Sequence, residues 1–330
     1  MNPDIKEELI KITALLQDTG FALRMATSLE AAYYRSQDQT IPPFFSDNDN
    51  NSLKRSIAEE KIAINIAPFY AVECAIGELM QQKGGTPVEW LHKIVSKQID
   101  SADILVLNRF ANATWKAGQP FRDLQRIGRS NFISAYLLPQ DEIQKDYDQV
   151  MAAADKLSSA MHAVADSSKQ FQLHKLSELL KDEKFSRAMA EHIEAAYFTA
   201  MKQTIPPFLN KGEDTATKRK SVKEEKIAVN IAGFYALECG LSYMATTQQQ
   251  LPSSLLREII NDSLDVHDKQ FFERLANATW KAGQPFRGLE RIKRDTFTCF
   301  DLLPEDEINK DWVQIKAAAA TLLTTLGTSK

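Results

Sequence analysis

The sequence predicts an all-α fold, arranged as a tandem duplication of a five- to six-helix bundle whose two repeats are related by pseudo-twofold symmetry. Apolar residues recur at helical spacing along nearly the whole chain, as amphipathic helices packed on a core require. Runs of β-branched residues in strict alternation, the mark of half-buried strands, do not occur. The chain also repeats itself. Ala111-Asn112-Ala113-Thr114-Trp115-Lys116-Ala117-Gly118-Gln119-Pro120-Phe121-Arg122 recurs unchanged at 276–287, and Thr40-Ile41-Pro42-Pro43-Phe44 answers Thr204-Ile205-Pro206-Pro207-Phe208. Tyr136-Leu137-Leu138-Pro139 likewise answers Asp301-Leu302-Leu303-Pro304. A period of roughly 165 residues is too long for a solenoid and long enough for each copy to bury a core. The expected division is a repeat over 1–160 and a second over 161–330, joined in the polar stretch 155–175.

The elements follow in chain order. Residues 5–17 and 21–37 read as the first two helices, the second stopped before Pro42-Pro43, whose rings fix φ and disfavour helix in the residue before them. Pro206-Pro207 repeats the stop. A long apolar helix over 53–81 comes next, with Ile62, Ile66, Tyr70 and Cys74 four apart and Ala63, Ala67 and Ala71 beside them. It is expected at the centre of the repeat. Pro68 stands mid-helix and Gly233 takes its place in the other copy; both are poor helix formers, so a kink is expected there. Gly84-Gly85 closes this helix, and Thr86 caps the next with Pro87 at its first position. Ser253 or Ser254 is expected to cap in the second copy. A helix over 103–117 stops at Gly118, reinforced by Pro120. Pro139 then opens a helix whose acidic first turn, Asp141-Glu142, suits the macrodipole.

Residues 109–150 combine a helix bearing Trp115, a basic connector, and Leu137-Leu138-Pro139-Gln140-Asp141-Glu142-Ile143-Gln144-Lys145-Asp146-Tyr147. The second copy has Leu303-Pro304-Glu305-Asp306-Glu307-Ile308-Asn309-Lys310-Asp311-Trp312 in the same place. This stretch, about 40 residues in each copy, resembles part of the ryanodine-receptor-type repeat domain. The Gly-Trp-x-Tyr-Gly element usual between the two helices of such domains is replaced by Gly118-Gln119-Pro120-Phe121-Arg122. The resemblance implies a small helical module with binding rather than catalytic duties, paired by pseudo-twofold symmetry, and names no ligand.

With 44% hydrophobic and 25% charged residues and a net charge of -4, the 330-residue chain has the composition of an ordinary globular protein. No nucleic-acid partner is expected. Nor is a membrane partner, since no run approaches the roughly 18 apolar residues of a span and the start, Met1-Asn2-Pro3-Asp4, carries no apolar leader. A cytoplasmic location is the expectation. Three cysteines cannot all pair, and Cys74 and Cys239 hold the same place in the two copies, as buried reduced thiols would.

No catalytic constellation emerges, and neither a metal nor a cofactor is implied. The five histidines (His92, His162, His174, His192 and His267) are not duplicated, as ligands of a duplicated metal site would be. Glu89-x-x-His92 has the spacing of a di-iron ligand pair, but such sites need two of these motifs and two further glutamates. Phosphate-binding loops and the Gly-x-Ser-x-Gly elbow are absent.

Two features stand above this background. One is a doubled basic cluster, Arg109, Lys116, Arg122, Arg126 and Arg129 in one copy and Arg274, Lys281, Arg287, Arg291 and Arg294, with Lys293, in the other. Guanidinium forks suit phosphates or carboxylates; the competing reading is pairing with Asp141, Glu142 and Asp146 on the following helix. The other is a polar line spaced by four, Lys61, Asn65, Phe69 and Glu73, matched by Lys226, Asn230, Phe234 and Glu238. Such a line either joins Glu30 or Glu194 in a buried network or borders a polar pocket. Trp115 and Trp280 either fill the core or offer a ligand an aromatic wall. The candidate ligand-binding set is therefore Lys61, Asn65, Glu73, Trp115, Lys116 and Arg122, with Lys226, Asn230, Glu238, Trp280, Lys281 and Arg287.

Three functions fit these residues. The first is a non-enzymatic helical interaction or scaffold protein with a protein partner or as a homodimer. The second is a module binding a small molecule or anion, with one basic pocket per repeat. The third, least favoured, is an enzyme working with carboxylates and lysines.

Overall fold

Pro3–Gln17 and Thr19–Ser36 form α1 and α2 in the computed structural model, which describes residues 3–46, 50, 52–118, 132–161, 168–283 and 297–328. Ile5, Leu9, Ile12 and Leu16 bury one stripe of α1. The Asp18 carboxylate starts α2 by accepting the Phe21 N–H at 2.7 Å, satisfying one of the donors a helix start leaves unpaired.

The long apolar segment is not one helix. Ser52–Ser56 is a strand, β1, paired antiparallel with β2 (Thr217–Ser221), Lys54 opposite Arg219. Helix begins only at α3 (Ile57–Asn65), where the Ser56 hydroxyl caps the Glu59 N–H, and Ser221 does the same for Glu224. Two short strands aside, the described residues are helical or loop, so the all-α class stands.

The expected kink is a full break at Ile66, which ends α3 and starts α4 (Ala67–Lys83). Pro68 falls in the first turn of α4, where a missing N–H is harmless. Ile231 makes the same break between α10 (Val222–Asn230) and α11 (Ala232–Thr247) without a proline.

Thr86 and Glu89 form a reciprocal capping box at the start of α5 (Pro87–Val95). The corresponding helix of the second half departs from expectation, because neither Ser253 nor Ser254 caps it. Its N-cap is Leu251, with no side-chain bond; Ser253 instead gives its N–H and its hydroxyl to the two oxygens of Glu8, each at 2.6 Å. The chain continues as α6 (Ser101–Gly118), α7 (Gln140–Met161), α8 (Lys169–Lys181) and α9 (Glu183–Ala200). The second half adds α12 (Pro252–Ile260), α13 (Val266–Gly283), a 3-10 turn at Phe300–Leu302 and α14 (Glu305–Thr328).

Helices α4 and α11 form the centre, buried from Ala67 to Met80 and almost throughout from Ala232 to Ala245. Each packs on both α6 and α13; α2 packs on α10 and α14, and α9 on α3 and α7. One apolar cluster therefore takes residues from both halves of the chain. Aromatic edges mark the crossings: Phe21 meets Phe234 at 5.4 Å, Phe69 meets Phe185 at 5.7 Å, Tyr70 meets Phe297 at 5.6 Å and Phe132 meets Tyr235 at 5.4 Å. Against the sequence reading, Ile57–Lys83 and Val222–Thr247 are long and apolar enough to cross a membrane; 89% and 78% of their most apolar windows lie inside the fold.

Two glycines of α11 predict opposite responses. A Cβ on Gly240 would lie 2.2 Å from the Phe272 ring, so Gly240→Ala should lower the unfolding free energy by about 1–3 kcal/mol through overpacking. Gly233 has nothing nearer than 3.5 Å, and Gly233→Ala should be neutral or stabilise by up to about 0.5 kcal/mol. Urea unfolding of both variants checks the contrast.

Candidate functional site

The repeated lysines sit in the interior. Lys116, near the end of α6, donates to Glu238 Oε2 on α11; Lys281, on α13, donates to Glu73 Oε2 on α4. All four side chains are 0–1% exposed. Each pair joins one half of the chain to the other. The second oxygen of each carboxylate takes a backbone N–H, from Ala135 at 2.8 Å for Glu238 and from Phe300 at 2.9 Å for Glu73. Ser242 gives its hydroxyl to Glu238 as well, at 2.7 Å. Buried charges persist only when paired and hydrogen-bonded in this way.

Titration follows from the same contacts. Burial pulls the Lys116 ammonium down, but the charge and hydrogen bond of Glu238 favour the protonated form, and the group stays above the usual lysine range. Burial pushes Glu238 up; the Lys116 charge and the hydrogen bonds of Lys116 and Ser242 bring it below the usual carboxylate value. Lys281 is raised in the same manner, with Glu73 opposing its burial. Burial drives the thiols of Cys74, Cys239 and Cys299 upward, so all three stay protonated and free at neutral pH and supply no thiolate nucleophile. Glu73, Lys116, Glu238 and Lys281 are thus satisfied by one another and closed to a ligand.

The break at Ile66 takes Lys61 off the helix that carries Glu73. Lys61 pairs with Glu194 at 3.3 Å and lies over the Phe208 ring at 4.9 Å; Lys226 pairs with Glu30 at 3.4 Å and lies over Phe44 at 4.9 Å. Phe44 and Phe208 directly follow the two diprolines, so those stops deliver a ring to a lysine of the opposite half. Asn65 and Asn230 donate back to the carbonyls of Lys61 and Lys226, each at 3.0 Å.

Two clefts bring the remaining candidates together. Asn65 and Trp115 border one with Ile64, Pro68, Asp146 and Gln149; Asn230 and Trp280 border the other with Tyr33, Gly233, Asp311 and Gln314. Both are shallow and open to solvent, with a volume of about 20 Å³ each. Both indoles are half-buried, Trp115 edge-on to Phe132 at 6.0 Å and Trp280 tilted against Phe297 at 5.9 Å. The carboxylates are anchored alike, Asp146 by Asn112 at 3.1 Å and Asp311 by Asn277 at 3.2 Å. Among the described lining residues there are carboxylates and amides but no cation.

Sequence reasoning named the tryptophans and asparagines, took Asp146 as a partner for the basic cluster and not as a cleft residue, and passed over Asp311, Gln149 and Gln314. The signal was present: Asp146 and Gln149 recur at 311 and 314, in step with the repeat.

The arginines separate. Arg274 is clamped by Asp301 at 2.8 and 2.9 Å, with Gln81 at 3.2 Å, whereas the hydrogen bonds of Arg109 among the described residues go to Ala135 O and Thr246 Oγ1. Of the acids expected to pair with the basic cluster, Asp141 and Glu142 pair instead with Lys145, four and three residues along their own helix, and Asp146 accepts from Asn112. Arg122 and Arg287 lie outside the described residues, as do Arg126, Arg129, Arg291, Lys293 and Arg294.

Glu89 is committed to the Thr86 capping box, and no group of three or more His, Cys, Asp or Glu able to hold a metal occurs among the described residues. Comparison with protein-family models, curated proteins and solved structures finds no match to this chain.

Proposed function

We propose that the chain is a non-enzymatic helical interaction protein, a tandem duplication with pseudo-twofold symmetry that offers one cleft per repeat to a segment of a partner protein. The observation that carries this reading is the matched lining of the two clefts: an indole, an asparagine, an anchored aspartate and a glutamine at corresponding positions. An indole face beside a carboxylate suits an arginine or lysine side chain, a contact worth about 0.5–2 kcal/mol per cation. The ryanodine-receptor-type resemblance supports binding duties, and three free thiols suit a reducing, cytoplasmic setting.

Titration with an arginine- and lysine-rich peptide, followed by tryptophan fluorescence, tests the proposal. Saturable binding is expected, with the stoichiometry halved by Trp115→Ala or Trp280→Ala alone and binding abolished by both together. Binding of a glutamate-rich peptide instead, through the same tryptophans, would favour an anion-binding module; response to neither peptide would overturn the cleft reading.

A further inference from the structure

Arg109 is only 5% exposed, yet neither of its acceptors is charged: Nη1 reaches Ala135 O at 3.2 Å and Nη2 reaches Thr246 Oγ1 at 3.3 Å. Its Nε has no acceptor. Glu238, the carboxylate that acts most on it, is already held by Lys116, Ser242 and the Ala135 N–H. Burial accordingly pulls the guanidinium below the usual arginine range.

Arg274, the same residue of the second repeated string, shows what is missing. It has the bidentate Asp301 carboxylate, Gln81, and the Glu78 charge 3.5 Å from its Nε, although that Nε, like the one of Arg109, has no hydrogen-bond acceptor. Burial opposes its charge too, but Asp301 and Glu78 hold it above the usual arginine range. The positions answering Asp301, Glu78 and Gln81 are Tyr136, Tyr243 and Thr246. Two carboxylates have given way to two phenols, while the arginine and its burial remain.

We propose that Arg109 anchors a site for a carboxylate from outside the chain, which takes the place that Asp301 holds beside Arg274 and is completed by hydrogen bonds from the phenols of Tyr136 and Tyr243. A guanidinium fork matches a carboxylate in two parallel bonds, and phenols supply donors where an acid would repel the ligand. Tyr243 is fixed by stacking on Phe271 at 4.3 Å, and burial raises its pKa, keeping the donor proton in place. Ser242 turns its hydroxyl to Glu238, and Tyr136 and Tyr243 are both partly exposed. The site involves neither tryptophan cleft and stands or falls separately from the partner-binding proposal.

Thermal unfolding is followed while sodium acetate replaces sodium chloride at constant ionic strength, with a parallel arm using an acetylated tripeptide bearing a free C-terminal carboxylate beside its amide. A saturable rise in Tm with acetate is expected. If the peptide acid saturates at lower concentration than acetate, the carboxylate comes from a partner's chain end; if acetate saturates first, it is a small free acid. Tyr136→Asp, which installs the carboxylate internally, should melt higher than the wild type without acetate and lose the acetate response. Tyr243→Phe, a change that leaves the ring in place, should weaken the response about tenfold by removing one donor to a charged acceptor. A Tm that does not respond to either carboxylate, or a response that Tyr243→Phe leaves unchanged, would overturn the proposal.

Discussion

Lys116→Met should lower the unfolding free energy by about 3–5 kcal/mol, the cost of leaving one member of a buried ion pair without its partner. Glu238 would remain fully buried, still accepting the Ala135 N–H and the Ser242 hydroxyl, with its hydrogen-bonded cation gone. Adding Glu238→Leu should recover only part of the loss, because the Ala135 N–H then has no acceptor. Lys281→Met should behave alike through Glu73. Urea unfolding at neutral pH reads these differences.

The same pairs set a pH window. Glu238 is depressed below its ordinary 4.5, so its contribution is present above that value and is lost as pH falls through the lower folded value. Lys116 is raised above its ordinary 10.5, so its contribution is present below that value and is lost as pH rises through the folded value. The stability the Lys116–Glu238 pair adds should therefore be level between the two ordinary values and fall on both sides.

Phe234→Ala should lower the unfolding free energy by about 3–5 kcal/mol, from lost transfer energy and a residual cavity. The ring is fully buried and stands edge-on to Phe21, so its removal loosens the seat of α2 on the second half as well as α11 itself. Phe69→Ala should match it, since Phe69 meets Phe185 in the same way. Chemical denaturation measures both.

Local chemistry was legible residue by residue. Thr86, Pro87 and the glycines before them announce the start of α5, and Pro139 with Asp141 and Glu142 announces α7, because caps and first turns depend on neighbours within four positions. The ribbon of Ser52–Ser56 and Thr217–Ser221 was not legible, since each strand finds its ladder only about 165 residues away. The break at Ile66 was half legible: Pro68 marked the place, but Ile231 shows that packing breaks the helix without it. Lys116 and Glu238 were both singled out, yet not as partners. In a repeated sequence a lysine can meet the glutamate of its own copy or of the other, and the residues are the same for both pairings. Arg109 and Arg274 lie in near-identical surroundings along the chain and differ in environment because Tyr136 and Asp301 arrive from a later turn. The arginine-rich part of the repeated strings falls outside the described residues.

The buried Lys116–Glu238 and Lys281–Glu73 pairs each join one half to the other, and the apolar core draws on both, so the two halves should unfold together. Differential scanning calorimetry of the full chain tests this most directly. A single transition with equal calorimetric and van 't Hoff enthalpies is predicted, shifted as a whole to lower temperature by Lys116→Met. Two transitions, each carrying about half the enthalpy, with only one moved by Lys116→Met, would contradict it.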